Sequence, residues 1–184
     1  MNGKSGNNTP HVVFQFQNIP VDRRMEATLI NTNGYSGSEI RKYLVPTGDN
    51  NSGQFLTGLV AAGVPQNILW APKRFVADSG YPTQAVLVQD LLWIPTEWEM
   101  SGMKIHASDV ENVNNQGVLE YYADDSKRIK FNGENQPYKY STASPYKGGT
   151  TSFCAVKTNG ADSYVSGDNS ILPGSGCAPA FCIQ

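Results

Sequence analysis

The segment from Tyr138 to Gln184 is the sequence feature that most constrains the fold. Apolar residues alternate along it with small or adaptable polar residues. This period of two is typical of strands with one packed face and one solvent-facing face. Asn159-Gly160 lies between two such runs and favours a tight turn, because both residues tolerate positive φ. The segment therefore predicts a hairpin, a long loop and a last strand.

The polar positions of this segment have the composition of a binding surface. Tyr, Ser, Gly, Asn and Thr predominate there. Antibody paratopes use the same residue types, because tyrosine offers a large rigid contact area and the small residues adapt their hydrogen bonds. The sequence shows no serine triad, no HExxH and no phosphate-cradling glycine loop. We therefore expect a ligand-binding domain rather than an enzyme, with no cofactor.

The composition fits a single domain, and its charge gives no indication of binding to nucleic acid or to anionic membranes. The chain has 184 residues, of which 39% are hydrophobic, enough for a single core. The formal net charge is -2 and 16% of residues are charged, so nucleic acid and anionic membranes are poor partners. No apolar run approaches the roughly 20 residues that span a bilayer. We expect residues 1–10, which lack the apolar core of a secretory signal, to be a flexible segment or linker, and residues 11–184 to form the domain.

The cysteines and histidines do not form a recognisable metal site. The chain has three cysteines, and this odd number in apolar surroundings favours buried small side chains. A bridge from Cys154 to Cys182 or to Cys177 stays open as an alternative. His11 and His106 are far apart and have no ligand-like spacing. We therefore expect no metal.

The remaining segments predict short helices and strands connected by many loops. An opening strand is predicted at 11–17, with Val12, Phe14 and Phe16 on one face. Capping boxes at Ser36–Glu39 and Thr96–Glu99 each predict a helix start. A second helix is predicted at 54–62 and a third at 112–122. The fold class is therefore α+β, with short helices packed on small antiparallel sheets.

Several blocks taken together resemble a bacterial and phage domain family of the C-type-lectin-like, formylglycine-generating-enzyme-like superfamily. They keep their order from about His11 onward, and the set is more specific than any single block. Leu-Trp-Ile-Pro-Thr-Glu at 92–97 and Gly-Cys-Ala-Pro-Ala-Phe-Cys at 176–182 are examples. The others are Ser38–Leu44, Phe55–Leu59, Ala62–Pro65, Leu69–Arg74, Glu99-Met100, Leu119–Tyr122, Ala143–Tyr146, Phe153-Cys154 and Asn159-Gly160.

Members of this family resemble the variable proteins of diversity-generating retroelements. The resemblance implies a C-type-lectin-like fold that displays a hypervariable surface, here at 140–176, on a constant frame. It implies binding of a host or partner cell-surface protein or glycan at a bacteriophage tail fibre or tip, or at a bacterial surface, and it leaves a homo-oligomer open. The implied ligand-binding residues are Ser141, Thr142, Tyr146, Lys147, Thr150, Thr151, Ala155, Lys157, Thr158, Asp162, Ser163 and Tyr164.

The chain departs from the family at two places. Ser141 stands where family members usually carry an aromatic residue, and the loop from Asp162 to Ser175 is longer than usual. Gln136-Pro137 is followed by Tyr138, so the calcium-dependent sugar motif of C-type lectins is not present.

Two other functions remain as alternatives. The first is a structural or decoration subunit of a phage or surface assembly. The second is a copper-dependent formylglycine-generating oxidase relative, suggested only by the closeness of Cys177 and Cys182. Tyr146 and Tyr164 could each pack on the domain's own flank, but together in a Ser/Gly/Thr-rich surface they favour binding.

Overall fold

The structure of the protein is a computed structural model that describes residues 12–21, 23–26, 28, 30–48, 52–80, 84–112, 117–165 and 176–183. The predicted flexible segment at 1–10 and positions 166–175 of the predicted variable surface lie outside the described residues. No helix within these ranges is long and apolar enough to cross a membrane.

Short helices and short strands are mixed along the chain, so the α+β class is confirmed. The helices are α1 (Glu39–Leu44), α2 (Gln54–Ala61), α3 (Glu97–Ser101) and α4 (Asp125–Arg128), with 3-10 turns at Gln66–Ile68, Asp109–Asn112 and Glu120–Tyr122. The strands are β1 (Val12–Gln15), β2 (Leu69–Trp70), β3 (Lys73–Ala77), β4 (Ala85–Gln89), β5 (Leu92–Trp93), β6 (Lys130–Phe131), β7 (Pro137–Tyr138), β8 (Tyr140–Pro145), β9 (Phe153–Val156), β10 (Asp162–Val165), β11 (Gly176–Cys177) and β12 (Ala180–Ile183).

Local capping sets the starts of the helices. Thr96 and Glu99 form the predicted capping box at α3, with both reciprocal hydrogen bonds present. Helix α1 begins two residues later than predicted, because its N-cap is Ser38 and not Ser36. The Ser38 hydroxyl accepts a hydrogen bond from the Arg41 backbone amide. The prediction of a helix at 112–122 is wrong for residues 117–122, which the structure describes. The Leu119 amide donates to the Glu99 carbonyl at 2.8 Å, and only a 3-10 turn follows.

Two sheets bring the carboxyl-terminal strands to the centre of the fold. One has the order β1-β12-β2, with β5 also pairing with β12, so the first and last described strands are antiparallel neighbours. The other has the order β10-β9-β8-β11 and is antiparallel except for the β8–β11 pair. The predicted hairpin is confirmed as β9–β10, and Gly160 has φ +86° at its turn. Strands β3 and β4, and strands β6 and β7, form separate hairpins.

Strand β1 packs with the face opposite to the predicted one. Val13 is 3% exposed, whereas Val12 and Phe14 are 38% and 42% exposed. Val13 pairs with Cys182 of β12, which is fully buried, so this register turns Val13 inward. Phe14 instead stacks on Phe181 at the surface, with ring centroids 5.4 Å apart.

The core lies between the two sheets and the helices. All three cysteines are buried and none forms a disulfide, which confirms that they pack as small side chains and that neither proposed bridge forms. The frame predicted for the terminal unit is buried at Ala143, Ser144, Phe153, Cys154 and Ala178. The largest fully buried apolar side chains are Tyr35, Tyr122, Tyr140, Phe153, Ile40, Leu44, Leu92, Ile94 and Met100.

Candidate functional site

A cluster of three aromatic side chains lies at the surface beside the β8-β9-β10 sheet. The Tyr146 and Tyr164 rings are parallel, with an interplanar angle of 4° and centroids 4.1 Å apart. The His106 ring lies 5.5 Å from the Tyr164 ring and 6.2 Å from the Tyr146 ring. We call these three residues the aromatic platform. The two tilted contacts of His106 fall in the favourable range of about 4.5–7 Å between ring centroids, so the imidazole supports the tyrosine pair.

Tyr164 is the outer ring of the platform. It is 39% exposed, whereas Tyr146 is half-buried. Gly148 lies so close to the Tyr146 ring that a Cβ added at Gly148 would come within 2.4 Å of it. The Tyr146 ring is therefore held between Tyr164 and the backbone of the loop that follows it.

Asn31 fixes the loop that carries Tyr146. Its Nδ2 donates to the Gly149 and Ser152 carbonyls at 2.9 and 2.5 Å, and to the Tyr146 carbonyl at 3.4 Å. Its backbone amide donates to the Thr150 carbonyl at 2.7 Å. One buried side chain thus satisfies several carbonyls of the 146–152 loop, and this holds the loop's conformation.

A buried polar network positions the segment that carries His106. The Glu97 carboxylate accepts hydrogen bonds from the backbone amides of His106 and Ala107, at 3.0 and 2.7 Å. The Ser144 hydroxyl accepts from the Glu97 amide at 2.8 Å and donates to Glu111 Oε2 at 2.5 Å. Burial raises the pKa of Glu97 to about 6, although the two backbone amides oppose that rise.

The charge around the platform is positive where it meets solvent. Lys147 and Lys157 are exposed. Burial lowers the pKa of His106; Asp162 opposes this, and Lys147 and Lys157 both add to it. Both ammonium groups therefore act on the imidazole. The Asp162 carboxylate is held by the Arg128 guanidinium at 3.0 Å and its side chain is 4% exposed.

The structure brings many of the sequence-predicted binding residues to the surface. Exposed are Lys147, Thr150, Thr151, Lys157, Thr158 and Tyr164, and partly exposed are Tyr146, Ser163 and Asp162, although the Asp162 side chain itself is only 4% exposed.

Three of the predicted residues are not displayed. Ser141, Thr142 and Ala155 are 5%, 2% and 2% exposed, so the expectation that they lie on the outer surface is wrong. Ser141 and Ala155 are paired across β8 and β9, which are the inner strands of their sheet. The Thr142 hydroxyl donates to the Cys154 carbonyl at 3.2 Å, so its polar atom is used inside the sheet. The Asp162 carboxylate is also not available to a ligand, since both of its oxygens accept hydrogen bonds from the Arg128 guanidinium.

Sequence reasoning missed two residues of the site. These residues are His106, which the sequence suggested only as a possible metal ligand, and Asn31. Nothing near either residue in the sequence signals the contact with the 146–152 loop. In the part of the chain that the structure describes, no group of three or more His, Cys, Asp or Glu side chains could hold a metal ion.

Comparisons with known proteins give no family assignment. The sequence matches no protein-family model and no curated protein, and the structure matches no solved structure. The resemblance to the C-type-lectin-like family therefore stays a prediction carried by the sequence blocks.

Proposed function

We propose that this protein is a ligand-binding module and that the aromatic platform is the centre of its binding site. The observation that supports this most directly is the stacked tyrosine pair at the surface. An exposed tyrosine that packs on another ring keeps its contact area rigid, so little conformational entropy is lost on binding. Exposed lysines and threonines around the pair supply adaptable polar contacts.

The division between frame and surface supports a C-type-lectin-like variable protein as the more specific proposal. Phe153 and Cys154 are buried in the strand that precedes the turn, whereas Lys157 and Thr158 at the turn are exposed. Substitution at the exposed positions removes little packing, because surface changes away from caps and cores alter stability by about 0.5 kcal/mol. Such a surface tolerates variation while the fold is kept. In this proposal the partner is a cell-surface protein or glycan of a host or neighbouring cell.

The test is a binding screen on arrays of glycans and of cell-surface proteins, with purified protein and matched variants. We expect the ligand found with the wild type to lose roughly tenfold or more in affinity with Tyr164→Ala, since exposed aromatic anchors often contribute more than about 1 kcal/mol. Tyr121→Ala is the control. Tyr121 is 47% exposed and packs on Tyr122 and Lys127 instead of the platform. Equal effects of the two variants, or no effect of Tyr164→Ala, would refute the proposal.

A structural subunit of an assembly is the second candidate, and the exposed side of β1 favours it. Phe14 is 42% exposed and stacks on Phe181, and β1 is an edge strand. An exposed apolar edge strand can pair with a second copy of the chain. Sedimentation over a range of concentrations tests this: wild-type oligomers that Phe14→Ser converts to monomers would support a subunit role, and a monomer throughout would contradict it.

A further inference from the structure

We infer that the platform binds a carboxylate-bearing sugar, so that the ligand of the proposed site is an acidic glycan. This inference rests on the proposed function and adds the chemical class of the ligand. It follows from two properties of the surface, its flat outer ring and the sign of the charge beside that ring.

The outer ring suits the apolar face of a sugar. Tyr164 is backed by the parallel ring of Tyr146, and His106 contacts it at 5.5 Å. These contacts hold the ring in one orientation. An aromatic face carries negative quadrupole charge and attracts weakly positive C–H groups, which a pyranose presents along one side. Stacking of this kind needs one flat exposed ring and no deep pocket.

The charge beside the ring calls for an anion. Neither Lys147 nor Lys157 has a carboxylate within ion-pair distance among the described residues. Among the described residues, the Lys147 ammonium donates to the Lys104 carbonyl, at 3.3 Å. The nearby carboxylates are already engaged, since Asp162 pairs with Arg128 and Glu97 accepts backbone amides. Two exposed lysines without an ion-pair partner among the described residues therefore lie near enough to His106 to act on its charge.

The combination favours a glycan over an acidic peptide. A hexuronate or sialic acid carries its carboxylate at the rim of a rigid ring, so one residue can stack on Tyr164 while its carboxylate meets a lysine. The side chain of Asp or Glu has no flat C–H face next to its carboxylate. A single acidic residue of a peptide therefore cannot make both contacts, whereas a single acidic sugar can.

The experiment measures binding of the full chain to galacturonate oligomers, hyaluronan oligomers and sialyllactose. Each is paired with a derivative whose carboxyl groups have been reduced to alcohols. We expect at least one acidic member to bind and its reduced partner to bind roughly tenfold or more weakly. Affinity should also fall as salt rises, because exposed charges are screened. The double variant Lys147→Gln/Lys157→Gln should reproduce the loss caused by carboxyl reduction. Lys73→Gln, at an exposed lysine on β3, should bind like the wild type.

The outcomes separate this inference from the proposed function. Equal binding of an acidic glycan and its reduced partner overturns the inference, as does binding of a polyglutamate peptide but of none of the glycans. Binding of a neutral glycan or a cell-surface protein that is lost in Tyr164→Ala would overturn the inference and leave the proposed function standing. Binding that survives Tyr164→Ala contradicts both, and no binding to any of the acidic glycans overturns the inference alone. A cooperative thermal transition above the assay temperature for each variant shows that a loss of binding is not a loss of folding.

Discussion

Replacing the buried Glu111 by glutamine should change how the stability of the protein depends on pH. Glu111 is fully buried, and Ser144 donates to its Oε2 at 2.5 Å. Burial raises its pKa from the ordinary 4.5 to about 8; the Ser144 hydrogen bond opposes this rise and repulsion from Glu97 and Glu99 adds to it. The folded protein therefore holds a proton on Glu111 at pH values where the unfolded chain has released it.

The sign of the effect follows from proton binding. Between the unfolded pKa of 4.5 and the folded pKa of about 8, the folded state binds more protons, so the free energy of unfolding falls as pH rises. At about 1.4 kcal/mol per pH unit, this interval corresponds to a loss of about 5 kcal/mol. Total stabilities are only about 5–15 kcal/mol, so the effect should be readily measured.

The assay is urea denaturation of the wild type and Glu111→Gln at several pH values from about 5 to about 8 and constant ionic strength. Glutamine keeps the shape of the carboxylic acid and an oxygen that accepts from the Ser144 hydroxyl, but it does not titrate. We expect the wild type to lose several kcal/mol more than the variant over this range. Glu97, whose pKa is about 6, contributes a smaller fall that both proteins share. Parallel pH curves for the two proteins would refute the proposed protonation of Glu111.

Three further predictions concern the frame, the loop support and the ion pair. Phe153→Ala should lower the free energy of unfolding by about 3–5 kcal/mol, because the ring is 1% exposed, whereas Tyr164→Ala should lower it by about 0.5–1.5 kcal/mol, the contribution of a surface aromatic pair; urea titration compares them, and equal losses would contradict the division between frame and surface. Asn31→Ala should cost about 1–3 kcal/mol through unsatisfied loop carbonyls and should also weaken ligand binding; an unchanged melting temperature would count against its role. Asp162→Ala should cost about 1.5–3 kcal/mol, because the buried Arg128 guanidinium loses the hydrogen bonds to its buried partner but keeps its ion pair with the exposed Asp125; a neutral result would mean that Asp162 is a free surface position.

The elements that could be read from the sequence are those defined by neighbouring residues. The capping box at Thr96 and Glu99 depends on hydrogen bonds within one helical turn. The turn at Asn159-Gly160 depends on a positive φ at Gly160. The strand alternation in the terminal unit depends on a repeat of two residues. Each of these features is local, so the sequence alone indicates it.

The errors occurred where distant neighbours decide burial. The alternation in β1 put Val12, Phe14 and Phe16 on the predicted apolar face, but the register with Cys182 turned Val13 inward instead. The same lack of long-range information placed Ser141 and Ala155 outside, although they are buried between inner strands. The sequence predicts that Asp162 is exposed, but folding brings Arg128 beside it and buries the ion pair between them.

The sequence by itself determined the α+β class, the carboxyl-terminal hairpin and the polar, tyrosine-rich composition of the region proposed to bind ligand. The tertiary structure alone decided that Tyr146, Tyr164 and His106 meet, since they come from segments far apart in the chain. It also decided which of the predicted side chains reach solvent. Hydrogen bonds of caps and turns span a few residues, whereas burial and ring contacts depend on segments that only folding brings together.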